Sequence, residues 1–349
     1  MRFKQRINNY RRAIMRGLTK NVGSTKFDRN LDPSTINVQR VLLSRPNHRL
    51  GNMLLITPLV QEISTTFPGC KIDLFVKGNI APIVFENYQN VDRILKLPKK
   101  HFKQLDKYLG GWIGLRKHKY DIIINVDTNS SSGRLSSQMA KGRFKFFGDI
   151  PEEVKQRHAD YRHMAKFPVY NFRYYLTQLN MPETDKPIPT MSMQLSDAEL
   201  QNSKKLLQDI VKNDKKTISI FTYATGDKCY KGDFWNPLYE RLLAEFPDYN
   251  IVEVLPVENV SQINFKAPSF YSKDVREICA FIANTDIFVG ADSGIMHLAN
   301  ASQTPTVGFF TVTDTDKYGP YGNHSLAVDT DKQGLEDYIS IIKRILNAN

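Results

Sequence analysis

Short apolar runs alternating with amphipathic helical stretches predict an α/β protein with two doubly wound parallel sheets. Three observations carry this prediction. The strand-length runs are apolar on both faces: Tyr120–Val126 reads YDIIINV and Asp286–Ala291 reads DIFVGA. Such runs suit sheets covered by helices on both sides. Strands and helices alternate through both halves of the chain, the order that gives parallel sheets. Finally, 349 residues suggest two domains, and Asn180–Met193, with Pro182, Pro187 and Pro189, is the best boundary between them.

Taken in order, residues 1–20 hold Arg2, Lys4, Arg6, Arg11, Arg12, Arg16 and Lys20 and no acid. Phe3, Ile7, Tyr10, Ile14 and Leu18 recur at steps of three and four. A basic amphipathic helix on an anionic bilayer has this pattern. Residues 21–37 read as a polar linker, so residues 1–37 form an N-terminal helix and linker.

The first domain, 38–180, opens with a strand at Val38–Ser44, a loop at Arg45–Asn52 and a helix at Met53–Phe67. Strands follow at Lys71–Lys77, Arg93–Leu97, Tyr120–Val126 and Phe144–Phe147. Helices are expected at Ile80–Asn87, Phe102–Lys117, from about Gly133 to Ala140, and at His158–Leu179. Gly110, Gly111 and Gly114 weaken the second of these.

After a linker at 181–195, the second domain spans 196–349. Ser196 and Glu199 make a capping box for a helix to Val211. Strands are expected at Thr217–Tyr223, Asn250–Leu255, Asp286–Ala291, Thr304–Phe310 and one ending at Asp329. Helices are expected at Phe234–Phe246, Asp274–Asn284 and Gly334–Leu346. In doubly wound sheets ligands bind at the carboxyl ends of the strands. The loops at 45–52, 127–133, 224–233, 256–259 and 291–294 should therefore face one interdomain cleft.

The formal net charge of +12 implies an acidic partner. No recurring basic–aromatic motif points to nucleic acid. No apolar run reaches the roughly 18 residues of a membrane span, and the N-terminus lacks a secretory signal. Cys70, Cys229 and Cys279 are far apart and odd in number, as expected of reduced thiols in a cytosolic protein. The expected location is cytoplasmic, peripherally on the inner face of the cytoplasmic membrane.

Chemistry concentrates after two strands. Ser293 can N-cap a short helix, Gly294 permits close approach, and Asp292 stands where the strand ends. Such a turn suits a diphosphate. His297 lies on the same helix face as Ser293, pointing back toward the turn. In Tyr223–Trp235, Thr225 and Gly226 can form a phosphate-contacting turn, and Lys228 and Lys231 supply positive charge. There is no Walker A sequence and no G-x-G-x-x-G, which argues against P-loop and conventional nicotinamide enzymes. Asp314-Thr-Asp316 and Asp329-Thr-Asp331 match a metal-binding D-x-D pattern that is common by chance, and no metal site is expected from them.

Three blocks carry a family resemblance: Arg49–Val60 (RLGNMLLITPLV), Thr225–Trp235, and Ala291–Gly322 with its D-S-G-x-x-H-x-A, T-P-x-V and G-P-Y elements. The chain resembles glycosyltransferase family 9, the ADP-heptose:lipopolysaccharide heptosyltransferases, over about residues 38–325. The resemblance implies a GT-B fold, two Rossmann-like domains facing a central cleft. It also implies inverting transfer of heptose from an ADP-sugar to a Kdo or heptose hydroxyl of a lipid-linked, anionic inner core. Lys228 would then contact the donor phosphates, Asp292 the sugar, and Ser293 and Gly294 the diphosphate. His297 would support that site, and Glu258 would hold the ribose. No cofactor is implied, beyond a non-specific effect of Mg2+.

One position departs from the family pattern. The Asp that follows the first-loop Gly is replaced by Asn52, and a neutral amide cannot act as general base. Asp127 and His48 are the substitutes, Asp127 because the first and fourth strands of such a sheet are adjacent. The loss of the base leaves room for a non-catalytic nucleotide-sugar-binding relative. A further reading is a GT-B enzyme using another nucleotide sugar, such as a UDP-sugar epimerase.

Overall fold

The computed structural model describes residues 14, 17–25, 27, 32–99 and 104–348. The basic helix expected over residues 1–20 lies largely outside the described residues.

Two parallel sheets organise the chain. The first holds β1 (Arg40–Arg45), β2 (Lys71–Lys77), β3 (Val91–Leu97), β4 (Lys119–Asn125) and β5 (Lys141–Phe146) in the order β3-β2-β1-β4-β5. The second holds β6 (Thr217–Phe221), β7 (Asn250–Leu255), β8 (Ser269–Tyr271), β9 (Ile287–Ala291), β10 (Thr306–Phe310) and β11 (Leu326–Asp329). Its order, β8-β7-β6-β9-β10-β11, repeats the pattern of the first with one strand added. In both sheets the winding reverses beside the first strand, between β1 and β4 and between β6 and β9. These reversals leave crevices at the carboxyl ends of the strands.

The apolar runs behave as expected of covered strands. Leu42 and Leu43 are both fully buried, but in different clusters on opposite sheet faces. Alternate side chains of a strand point to opposite faces, so helices must cover both.

Several helices differ from the sequence reading. The one expected over Met53–Phe67 is two, Leu50–Leu54 and Thr57–Thr66. Pro58 sits in the first turn of the second, where a missing N–H is harmless. The first begins inside the predicted loop, which brings Gly51 and Asn52 onto a helix. The helix expected over His158–Leu179 is confined to Phe167–Thr177, opened by Pro168. Residues 158–166 instead fold as turns against the second half: Met164 N–H donates to Lys317 O at 3.0 Å. β8 has only three residues, too few to show a period in the sequence.

The proline-rich segment between the sheets is a strap tied to both. Gln61 Nε2 donates to Thr190 O and Tyr88 Oη to Ser192 O, each at 2.8 Å. From the other side, Arg276 donates to Met193 O at 3.3 Å and to Ile83 O at 3.1 Å. Arg276 also pairs with Glu199 at 2.5 Å. The hydrogen bond from this guanidinium holds the Glu199 carboxyl well below its ordinary range, at about 2.

Candidate active site between the two sheets

At the β6/β9 reversal, Asp292 leaves β9 and is almost fully buried. Ser293 is extended, and its Oγ accepts the Met296 N–H at 3.1 Å. This caps the Gly294–Ala301 helix, whose remaining free N–H groups and dipole attract negative charge. A buried carboxylate is tolerated only with a partner. Lys228 supplies it: its Nζ lies 2.5 Å from Asp292 Oδ2. Lys228 ends a 3-10 turn after β6, the strand beside β9. Gly226, at φ +69°, makes that turn in a conformation L side chains rarely adopt.

At the β1/β4 reversal the charges are arranged differently. Arg45 ends β1 with its side chain only 8% exposed. Its Nη1 lies 2.6 Å from Asp127 Oδ2, and its Nη2 donates to Asn52 Oδ1 at 3.4 Å. Asp127 Oδ1 accepts the Asn129 N–H at 3.0 Å. Asn125 Nδ2 fixes the Asp127 carbonyl at 3.0 Å. One guanidinium thus holds together the two residues singled out for the base question.

The two reversals meet at glycines. A Cβ on Gly51 would come within 2.8 Å of His297 Cδ2, and one on Gly294 within 3.7 Å of the Gly51 nitrogen. His297 is buried against this contact, and its Nδ1 has no hydrogen-bond partner among the described residues. Burial drives its pKa down to about 4, against an opposing pull from Asp292. The imidazole is therefore neutral near pH 7, and it closes the seam between the sheets. Tyr318 stands in the same cleft, where it feels the charges of Arg45, Asp127 and Asp292. Its phenol is raised above the ordinary value, mainly by burial.

The remaining candidates are placed apart from these groups. His48 lies beside Gly78 and Lys99, beyond the ends of β2 and β3. Burial, followed by the charges of Lys99, Lys77 and Arg49, lowers its pKa. Thr225 and Glu258 are exposed, on the loops after β6 and β7. No described hydrogen bond ties either to the Lys228–Asp292 pair. The D-x-D segments serve as caps and surface pairs. Asp314 Oδ1 accepts the Asp316 N–H at 3.0 Å and Oδ2 pairs with Arg162. Asp329 Oδ1 accepts the Asp331 N–H at 3.1 Å and Oδ2 pairs with Lys332.

Three residues of the cleft were not named as site residues from the sequence. Arg45 opens the loop predicted at 45–52, yet it ends β1, and only the β1–β4 pairing gives it Asp127. Gly51 belongs to a recognisable loop motif, yet its contact with His297 crosses between sheets. Tyr318 sits in an irregular stretch whose partners are distant in sequence.

Comparison with known proteins bears on these residues. The profile described as glycosyltransferase family 9 (heptosyltransferase) matches residues 273–338. Lipopolysaccharide heptosyltransferase 3 of Escherichia coli is 21% identical over 294 residues, covering 79% of this chain and 85% of the relative. Lipopolysaccharide heptosyltransferase 1 of Campylobacter coli is 22% identical over 307 residues, covering 81% and 87%. The chain is similar to glycosyltransferase family 9.

Solved structures add the fold. The family 9 protein of Veillonella parvula aligns with a TM-score of 0.69 at 16% identity, over 90% of this chain and 99% of the other. The E. coli heptosyltransferase WaaC, solved with ADP, aligns with a TM-score of 0.64 at 15% identity, over 88% and 99%. The arrangement is GT-B. The profile match contains Asp292, Ser293, Gly294, His297 and Tyr318. Lys228, Arg45, Asn52 and Asp127 fall outside it.

Proposed function

We propose that this glycosyltransferase moves a heptose from an ADP-sugar to a Kdo or heptose hydroxyl of the lipopolysaccharide inner core. Transfer would invert the anomeric carbon and take place at the inner face of the cytoplasmic membrane. The observation that carries this reading is the meeting of two differently charged switch points across the Gly51–His297 contact. A capped helix and a lysine stand on one side. A carboxylate held by a guanidinium stands on the other. The names of the relatives supply the sugar and the acceptor class, and WaaC, solved with ADP, supports the nucleotide.

In this reading the diphosphate lies at the N-terminus of the Gly294–Ala301 helix. Lys228 has three N–H donors, so it can keep Asp292 and still reach a phosphate oxygen. The acceptor oxygen attacks the anomeric carbon as the bond to the diphosphate breaks. Negative charge then builds on the departing ADP, where Lys228 and the helix N–H groups stabilise it. The acceptor proton passes to Asp127. Arg45 occupies one side of that carboxylate, and a carboxylate has room for about four hydrogen bonds. No step needs a metal or other cofactor. Ser293 shapes the phosphate turn, His297 packs it against Gly51, and Thr225 and Glu258 border the nucleoside. His48 is assigned to the acceptor side.

The test is purified protein with ADP-heptose and lipopolysaccharide truncated to its inner core, with ADP release and product mass read together. ADP release matched by one added heptose supports the reading. Asn52 favours a second reading, a nucleotide-sugar-binding protein that no longer transfers. Donor binding with neither ADP release nor product would establish that reading instead.

A further inference from the structure

We propose that the Leu105–Gly114 helix and its basic surround form a docking face for an anionic lipid bilayer. This segment is separate in sequence from residues 1–20.

The helix has an inward side that the first sheet accounts for. The Trp112 ring meets Phe75 edge-on at 5.4 Å, and Leu115, just past the helix, is fully buried. A Cβ on Gly111 would come within 2.8 Å of Leu97 Cδ2, so the backbone packs close to β3 at that point. The opposite side carries Leu109 and Ile113, one turn apart, 56% and 60% exposed. Single exposed apolar residues are ordinary. Two on one stripe of an amphipathic helix form an apolar surface.

Charge selects the occupant. Residues 96–119 contain eight lysines and arginines and a single acid, Asp106. Lys96, Lys99, Arg116 and Lys117 are exposed around the helix. A second copy of this chain would bring two such basic segments together, which repulsion disfavours. Nucleic acid would use the charge but leave Leu109 and Ile113 without purpose. An anionic bilayer uses both: apolar side chains enter the acyl boundary and lysines meet the headgroups.

The basic rim also leads to the cleft. The Lys99 side chain runs over Gly78: a Cβ on that glycine would lie 3.0 Å from Lys99 Cε and 3.2 Å from His48 Cβ. A bilayer on the Leu105–Gly114 face would therefore stand beside the loop between β1 and the Leu50–Leu54 helix. A glycan anchored in that bilayer would reach the acceptor side of the cleft without leaving its membrane.

The experiment uses the full chain and co-sedimentation with two vesicle types, phosphatidylcholine alone and phosphatidylcholine mixed with phosphatidylglycerol. Leu109→Ser with Ile113→Ser, and separately Lys96→Gln with Lys117→Gln, should each weaken binding to the anionic vesicles about tenfold or more. All four side chains are exposed, so the unfolding midpoint should not move. High salt should erase the effect of the lysine pair and leave that of the apolar pair. Wild-type binding in both variants would overturn the proposal and leave membrane contact to residues 1–20. A wild-type oligomer that the apolar variant dissociates, with vesicle binding unchanged, would make this a self-association face and equally overturn it. Vesicle binding is read without sugar transfer, so it fails independently of the donor and acceptor assignment.

Discussion

At the β6/β9 reversal, Lys228 and Asp292 sit beside a helix whose first turn is capped by its own Ser293. At the β1/β4 reversal, Arg45 and Asp127 pair beside a helix that has no side-chain cap and carries Asn52. Strand order and sheet position are the same in both. In the first case the carboxylate is buried and the cation is the more exposed partner, at 36% against 5%. In the second the guanidinium is buried and the carboxylate is the more exposed, at 23% against 8%. The group facing the cleft is a cation on one side and an anion on the other. In the proposed function this reversal gives one fold element two roles, an anion cradle and a seat for a proton acceptor.

Removing the exposed anion should produce the largest effect. Asp127→Asn should lower turnover by at least about a hundredfold, as loss of a positioned base does. ADP affinity should stay nearly intact, and steady-state kinetics with ADP calorimetry would show both. A fully active variant would break the contrast and pass the question to His48→Gln.

Removing the exposed cation should come next. Lys228→Ala should weaken ADP binding by about 1.5–3 kcal/mol, the loss of one charge-assisted contact. Unchanged affinity by calorimetry would take Lys228 out of the donor site.

The joint between the two sites should be less sensitive. Gly51→Ala puts a methyl 2.8 Å from His297 Cδ2, and overpacking of this kind costs about 1–3 kcal/mol. Denaturant unfolding measures the cost. A variant as stable as wild type would show that the two halves separate easily at this point.

The pH dependence of stability sharpens the same joint. His297 has a folded-state pKa of about 4, below its ordinary 6.5. The unfolded chain therefore takes up this proton first. The contribution of His297 is fully present above about pH 6.5 and is lost as the pH falls toward 4, by about 1 kcal/mol per pH unit. His297→Gln should flatten the stability profile over that window. An equal slope in both proteins would mean that the imidazole titrates freely.

The smallest effect is expected where the family pattern is restored. Asn52 shares Arg45 with Asp127, so Asn52→Asp would place two carboxylates on one guanidinium. Each would disturb the other, and turnover should rise far less than the roughly hundredfold of a regained base. A gain of that size in the same kinetic assay would instead show that Asp127 does not serve.

The capped turn after β9 was open to reading because its residues are close in sequence. Asp292, Ser293, Gly294 and His297 fall within six residues, on a strand end and one helical turn, where cap and period rules act locally. The two sheets were legible for a similar reason. Strands buried on both faces must be apolar throughout, and that property shows in a single chain.

The cluster at the β1/β4 reversal is assembled by pairing. Asp127 is 82 residues from Arg45, and no local rule joins them until β4 is known to lie beside β1. The exposed stripe of Leu109 and Ile113 was hidden in another way: apolar residues at helical spacing read as core, and only packing shows which side the sheet covers. Gly51 meets His297 across two sheets that fold around separate strands. Residue type and local spacing thus determined every strand but β8, the capped turn and the excess of positive charge. Tertiary structure alone decided which charge faces the cleft, because that depends on which partner the surrounding side chains bury.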